Sequence, residues 1–256
     1  MASQELAAGR EETQSTAAEH VAEALANMVL GQMAPGASIP SEADLATRFA
    51  VSRLTVREAV KMLAGRGLLH LGRGRRAVVR EPNSSAFADF LVSIINNDPK
   101  GLFDLIELRM MLETQSASLA AKRTSRAGLL AIESAMKGMQ DTALEIETSS
   151  DPASAEFRFH DFDVQFHEAI ATASGNRVIS FVFEAMAKPL RESFFMSGHG
   201  QRLRGNDRGT TLRAHQAVLD AIRAGDQRGA AEAMRKHLRE TEIDIRAHMA
   251  NRPERQ

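Results

Sequence analysis

Strand-like sequence occurs once in this chain of 256 residues, as LLHLGRGRRAVV at residues 68–79. Two short apolar runs flank Gly72-Arg73-Gly74-Arg75, the pattern of a β-hairpin with an arginine-rich tip. Everything from Ala86 onward carries helical periodicity, so the fold class is mainly α, with one hairpin near the N-terminus. The spacing predicts helices over 86–96, 101–123, 125–146, 153–174, 176–197, 208–224 and 226–249, broken by segments such as Asn97-Asp98-Pro99, Gly175 and Gly225. At roughly 100 to 200 residues per domain, the length suits two domains. We read a mobile polar tail over 1–15, a small domain over 16–81, a linker over 82–85 and an all-α antiparallel bundle over 86–250.

Ahead of the hairpin, Thr16 and Glu19 form a capping-box pair that opens a helix through Leu30, with Val21, Leu25, Met28 and Val29 on its apolar face. Ser41 caps a short helix over 42–49. Ser52 caps the next, whose stripe is Val56, Ala59, Val60 and Leu63 until Gly65 and Gly67 end it. Three helices followed by a basic hairpin make a winged helix-turn-helix. From Ala43 to Arg80 nine basic residues face two acids, while the whole chain carries a net charge of −1. A solvated surface would explain the charge alone; together with the order of elements it indicates a surface for nucleic-acid phosphates. In that geometry the third helix enters the major groove by its N-terminal end. Arg53 and Arg57, with Lys61 a turn further, can reach guanine through paired hydrogen bonds. Arg48, Ser52 and Thr55 suit phosphates, Leu54 suits a thymine methyl, and the wing tip, Arg73, Gly74 and Arg75 onward, suits the neighbouring backbone or minor groove.

Zero cysteine excludes disulfide scaffolds, thiolate zinc sites and cysteine nucleophiles. No apolar run approaches the roughly 18 residues of a membrane span, and the N-terminal acids do not suit a signal peptide. A cytoplasmic protein without a membrane partner is expected. In the helical part, Asp163 and His167 lie one turn apart on one helix face. His215 and His237 lie about ten residues before and twelve after the break at Gly225, so a hairpin folded there sets them at similar height at ~1.5 Å rise per residue. One Asp and three His without thiolate would suit a divalent first-row ion, zinc first, with nickel, manganese or iron as alternatives. His160 reads as a surface or pocket residue that could compete. Arg109, set among Leu102, Leu105, Ile106 and Leu112, needs a partner on the bundle side: Glu113 is the structural one and a carboxylate ligand the functional one. Asn176 is a helix N-cap, with a pocket role additional. Phe157, Phe159, Phe166, Phe194 and Phe195 read as core.

Ile39-Pro40-Ser41-Glu42-x-x-Leu45-Ala46, Val51-Ser52-Arg53-x-x-Val56-Arg57-Glu58-Ala59 and Gly72-Arg73-Gly74 resemble the GntR family of bacterial transcription regulators. Asp163-x-x-Phe166-His167, Ser174-Gly175-Asn176 and Met234-x-x-His237 resemble the FCD effector domain of its FadR-type branch. The resemblance implies DNA contacts at Arg53, Thr55, Arg57, Arg73 and Gly74. It also implies a divalent metal at Asp163, His167, His215 and His237, and a small carboxylate effector near it, bound with Arg109 and Asn176. The chain departs from the family at Ala43, where Arg is common, at Arg75-Arg76-Ala77 in the wing, and at Ala214, where Glu is frequent. The expected protein is a ligand-responsive regulator, a repressor by analogy, binding a palindromic operator as a homodimer, and not an enzyme. Its rivals are a metal-dependent hydrolase or lyase acting on a small acid and an architectural DNA binder without a sensor.

Overall fold

The computed structural model describes residues 2–72, 75–81, 84–97 and 100–251. The expected wing contacts Arg73 and Gly74, and Pro82 and Asn83 of the expected linker, lie outside the described residues. The chain divides into two compact units, Met1–Asn83 and Ser84–Gln256. Among the described residues no helix is long and apolar enough to cross a membrane.

The first unit contains α1 (Ala2–Gln32), α2 (Glu42–Phe49), α3 (Arg53–Gly65) and the antiparallel pair β1 (Leu69–His70) and β2 (Val78–Val79). Helix α1 opens at Ala2, so residues 2–15, expected as a tail, are helical here; their Ala, Glu and Gln content favours helix even without an apolar face. Ser41 and Asp44 form a capping box on α2, and Ser52 caps α3 through the Thr55 amide. Between them Ala50 takes a left-handed turn with φ of 53°. The apolar faces of the three helices meet in one core around Leu25, Leu45, Val56 and Leu63. The strands keep only two residues each, in register Leu69↔Val79 and His70↔Val78. Val79 then donates to Ala37 and Ile39 to Ala77, so the segment before α2 completes the wing.

The second unit contains α4 (Ser85–Asn97), α5 (Gly101–Arg123), α6 (Arg126–Thr148), α7 (Pro152–Ala173), α8 (Arg177–Leu203), α9 (Arg208–Arg223) and α10 (Gln227–Ala250). From α5 to α10 the links are two to four residues long, which makes consecutive helices reverse direction. Ser125, Asp151, Asn176, Asp207 and Asp226 cap the helix starts, each accepting backbone N–H bonds. One apolar cluster gathers Ile132, Met139, Phe166, Ile170, Leu219 and Leu238, and a second gathers Leu105, Phe183, Met186, Leu190 and Phe194. Each such side chain contributes about 1.5–3 kcal/mol on full burial. Phe157 and Phe195, expected in the core, are instead 62% and 53% exposed, because they point away from the bundle on α7 and α8.

Helix α8 also runs to Leu203, past the expected end at 197, and through the buried Pro189. An interior proline costs about 3 kcal/mol in a helix; burial of Met186, Pro189, Leu190 and Phe194 offsets it. Gly198 and Gly200, which look like loop residues in sequence, are helical. At Gly200 the backbone of α8 meets α10 so closely that a methyl group would drive into the Asp244 carbonyl oxygen. Gly200→Ala is therefore expected to cost more than about 3 kcal/mol, since backbone on both sides must move. Urea denaturation checks this; an unchanged midpoint would contradict the crossing.

Candidate metal centre and nucleic-acid interface

In the first unit, Arg53, Leu54, Arg57 and Lys61 are exposed on α3, Leu54 by 53%. Arg57 is held in place: its Nε lies 3.2 Å from both carboxylate oxygens of Glu42, and its Nη2 donates to Oε2 at 2.8 Å. The hydrogen-bonded fork keeps the Glu42 carboxyl below its usual range. Lys61 pairs with Glu58 at 2.9 Å. Arg57, Lys61, Arg75 and Arg76 line one hollow between α3 and the wing, with Ser41 and Glu42 at its edge. Arg48 sits apart, with Nη1 3.3 Å from the Met28 sulfur. Ser52 is exposed at the start of α3. Thr55 does not face outward: it is buried, and its Oγ1 lies 2.8 Å from the Ser52 hydroxyl, three residues back in the cap. The expected phosphate contact from Thr55 is corrected to a structural one.

In the second unit, α7 supplies Asp163 and His167, α9 supplies His215 and α10 supplies His237, and all four are buried. The helix reversal at Gly225, with φ of 71°, brings His215 and His237 side by side. Asp163 Oδ1 lies 3.1 Å from His215 Nε2 and 3.3 Å from His167 Nε2, and the two Nε2 atoms are 3.2 Å apart. A ligand atom from each of the three histidines falls within 4.8 Å of the others. Donors bound to one ion at about 2.0–2.1 Å sit roughly 3 Å from one another, so the spacing fits a metal. Asp163 Oδ1 and His237 Nε2 are buried without a hydrogen-bond partner, a costly state that a cation would relieve.

Neighbours orient this set. His215 Nδ1 lies 2.9 Å from the Thr211 carbonyl, which fixes the proton there and leaves Nε2 as a donor of its lone pair. His167 Nδ1 abuts Glu113 Oε2, and Glu113 Oε1 accepts from Arg109 Nε at 2.5 Å. Burial would raise the Asp163 carboxyl, but the imidazoles of His215 and His167 hold it well below its usual range. Burial lowers His237 well below the ordinary imidazole value, and His215 and His167 push the same way. For His167 burial is outweighed by Glu113 and Asp163, which raise it. Three nitrogens and one carboxylate, with no thiolate, are a donor set for a first-row divalent ion.

Asp163 and His237 also line a cavity of about 330 Å³, together with His160, Phe194 and Gln201. Its rim carries Arg202, Arg208, Arg213 and Lys236. Arg109 stands behind it: fully buried, 4.7 Å over the Phe194 ring, with Nη1 and Nη2 unpartnered. Asn176 does not line the cavity; its Oδ1 accepts from the amides of Val178 and Ile179 at the start of α8. His160 lines the cavity outside the donor cluster, and burial lowers its pKa against the pull of Asp163 and Glu156. The Glu113 contact to His167 and the place of Gln201 in the cavity had no sequence signal, because helical spacing relates positions within one helix only.

Comparison with known proteins matches residues 17–79 to the model of bacterial regulatory proteins of the gntR family, and residues 104–240 to the FCD domain. The chain is 30% identical over 210 residues to the galactonate operon transcriptional repressor of Escherichia coli (strain K12), covering 80% of this chain and 86% of that protein. It is 32% identical over 207 residues to the putative L-lactate dehydrogenase operon regulatory protein of that strain, covering 79% and 76%. It is 28% identical over 222 residues to the Glc operon transcriptional activator of that strain, covering 86% and 85%. Among solved structures, a Streptococcus agalactiae GntR protein superposes with a TM-score of 0.64 at 25% identity, covering 87% of this chain and 97% of that one.

Proposed function

Because this chain belongs to the gntR family of bacterial regulatory proteins and carries an FCD domain, we propose that a small organic acid controls its hold on DNA. It is a DNA-binding transcription regulator and not an enzyme. The observation that carries the proposal is the coincidence of four converging N and O donors with a cavity that two of them line. Asp163, His167, His215 and His237 hold a divalent ion, zinc first among nickel, manganese and iron. Bound there, an ion would supply a fixed positive charge to attract a carboxylate oxygen.

Arg109 holds Glu113, and Glu113 sits against His167, so the guanidinium steadies the donor set from behind. Its two unpartnered Nη groups are also the donors a carboxylate requires, and Phe194 is the side chain between them and the cavity. Asn176 is left to its cap. Relatives are named for galactonate, L-lactate dehydrogenase and Glc operons, which suits a hydroxy acid, a sugar acid or a dicarboxylate. On the DNA side, Arg53, Arg57, Lys61 and the wing, Arg73 to Arg75, face a palindromic operator, two copies of the chain presenting two recognition helices. The acid acts only as far as it binds one dimer state better than the other.

A thermal-shift series on the full chain tests this. Zinc is expected to raise the melting temperature, and one or more acids to raise it further, because each binds only the folded state. Arg109→Met is expected to remove the second increment and to shrink but not abolish the first, since it also releases Glu113 behind His167. A melting curve indifferent to zinc and to every acid would identify an architectural DNA binder instead.

A further inference from the structure

His160 is only 8% exposed, yet neither ring nitrogen has a hydrogen-bond partner. Its ring is set edge-on against Phe159 at 5.7 Å and Phe195 at 6.2 Å, so its orientation is fixed by packing alone. Opposite it, α8 has Gly198. A Cβ there would lie 3.4 Å from His160 Cε1, 3.8 Å from Nε2 and 3.9 Å from Arg202 Nη1. The missing methyl group therefore leaves a recess bordered by an imidazole and a guanidinium, and all three residues line the cavity that reaches Asp163 and His237.

A neutral imidazole offers one N–H donor and one acceptor. Hydroxyl groups satisfy both. An ionised second carboxylate only accepts and would leave the acceptor nitrogen of the ring unpaired, although Arg202 and Arg208, which share one Glu156 oxygen at 2.9 and 3.1 Å, border this end. Position gives the length: His160 stands three residues before Asp163 on α7, about 4.5 Å along the helix axis. A ligand held by its carboxylate at the Asp163 end reaches the recess only with carbons beyond the second.

We propose that His160, with the recess over Gly198, is a specificity residue for hydroxyl groups on the far carbons of the bound acid. The effector is then a polyhydroxylated carboxylate, in preference to a short 2-hydroxy acid or a dicarboxylate. This rests on the acid-sensing reading above, and the two are separable by experiment.

Calorimetry on the zinc-loaded full chain compares D-galactonate and D-gluconate with 2-hydroxyhexanoate, adipate and L-lactate. At least one of the polyhydroxy acids is expected to bind ten-fold or more tighter than 2-hydroxyhexanoate, as a gained buried hydrogen bond of about this worth requires. His160→Phe is expected to erase that preference while leaving 2-hydroxyhexanoate unchanged. His160→Gln, which keeps a donor and an acceptor, restores part of it. Gly198→Ala, favourable to helix, fills the recess and lowers the preference independently. The proposal is overturned if 2-hydroxyhexanoate or adipate binds as tightly as the polyhydroxy acids, or if His160→Phe and Gly198→Ala leave the preference intact. Binding of L-lactate alone overturns it and leaves acid sensing standing; binding of none of the acids removes both.

Discussion

Replacing His215 by alanine is expected to lower zinc affinity more than about 100-fold, beyond the 10- to 100-fold typical of losing a residue that merely supports a ligand. His215 is the choice because its Nε2 is within 3.1–3.2 Å of two other donors, Asp163 Oδ1 and His167 Nε2. Removing it leaves Asp163 buried with one imidazole fewer to balance its charge. Mass spectrometry for metal after gel filtration, with a zinc titration, reads the effect, and stoichiometric zinc in His215→Ala would sink the assignment. Protons should compete in the same way, because each imidazole must give its lone pair to the ion. Glu113 and Asp163 raise His167, so acidification should displace zinc first through that residue and well above the pH at which the depressed His237 takes a proton.

Arg57→Ala is expected to remove specific operator binding. A bidentate contact from arginine to guanine discriminates by about 1–3 kcal/mol, and a dimer on a palindrome loses it twice. The Glu42 fork already holds the guanidinium in one orientation on α3, so little rotamer freedom remains to be lost on binding. Fluorescence anisotropy at fixed salt, on operator and on scrambled duplex, should show the ratio of the two affinities collapsing. Binding to the scrambled duplex should keep most of its strength, with the salt slope reduced by about one for each phosphate contact removed. An unchanged ratio would move base reading to Arg53 and the wing. Binding of the acid should be untouched.

What sequence could and could not reveal follows from the range of its signals. Asp163 and His167 are i,i+4 neighbours, and the Gly225 reversal pairs His215 with His237, so these two pairs were legible from helical spacing and one turn, while their meeting across α7, α9 and α10 was implied only by the family resemblance. The bundle itself was legible from caps and glycine breaks, which fall within two residues of the observed ends everywhere but at the end of α8. Three things were not. Helix α8 continues past the expected end at 197 to Leu203, through Gly198 and Gly200, because its close crossing on α10 overrides two local breakers. Thr55 turns inward because its hydroxyl is claimed by the Ser52 cap, while the helical wheel alone leaves it free. Glu113 reaches His167 across two helices, and such a contact depends on how α5 and α7 are seated, which periodicity does not encode.

The crossing at Gly200 has a mechanical consequence. With the α8 backbone lying directly on the Asp244 carbonyl, sliding either helix along the other would bring the side chain of His199 or Gln201 into that gap. Translation is blocked, and the cheap displacement left to the pair is rotation about this point, as a lever turns on its fulcrum. Gln201 and Gly198 on one arm, and His237 and Thr241 on the other, border the cavity close to that axis. A small change in what fills the cavity would then be carried to the far ends of both helices as an angle and not as a shift.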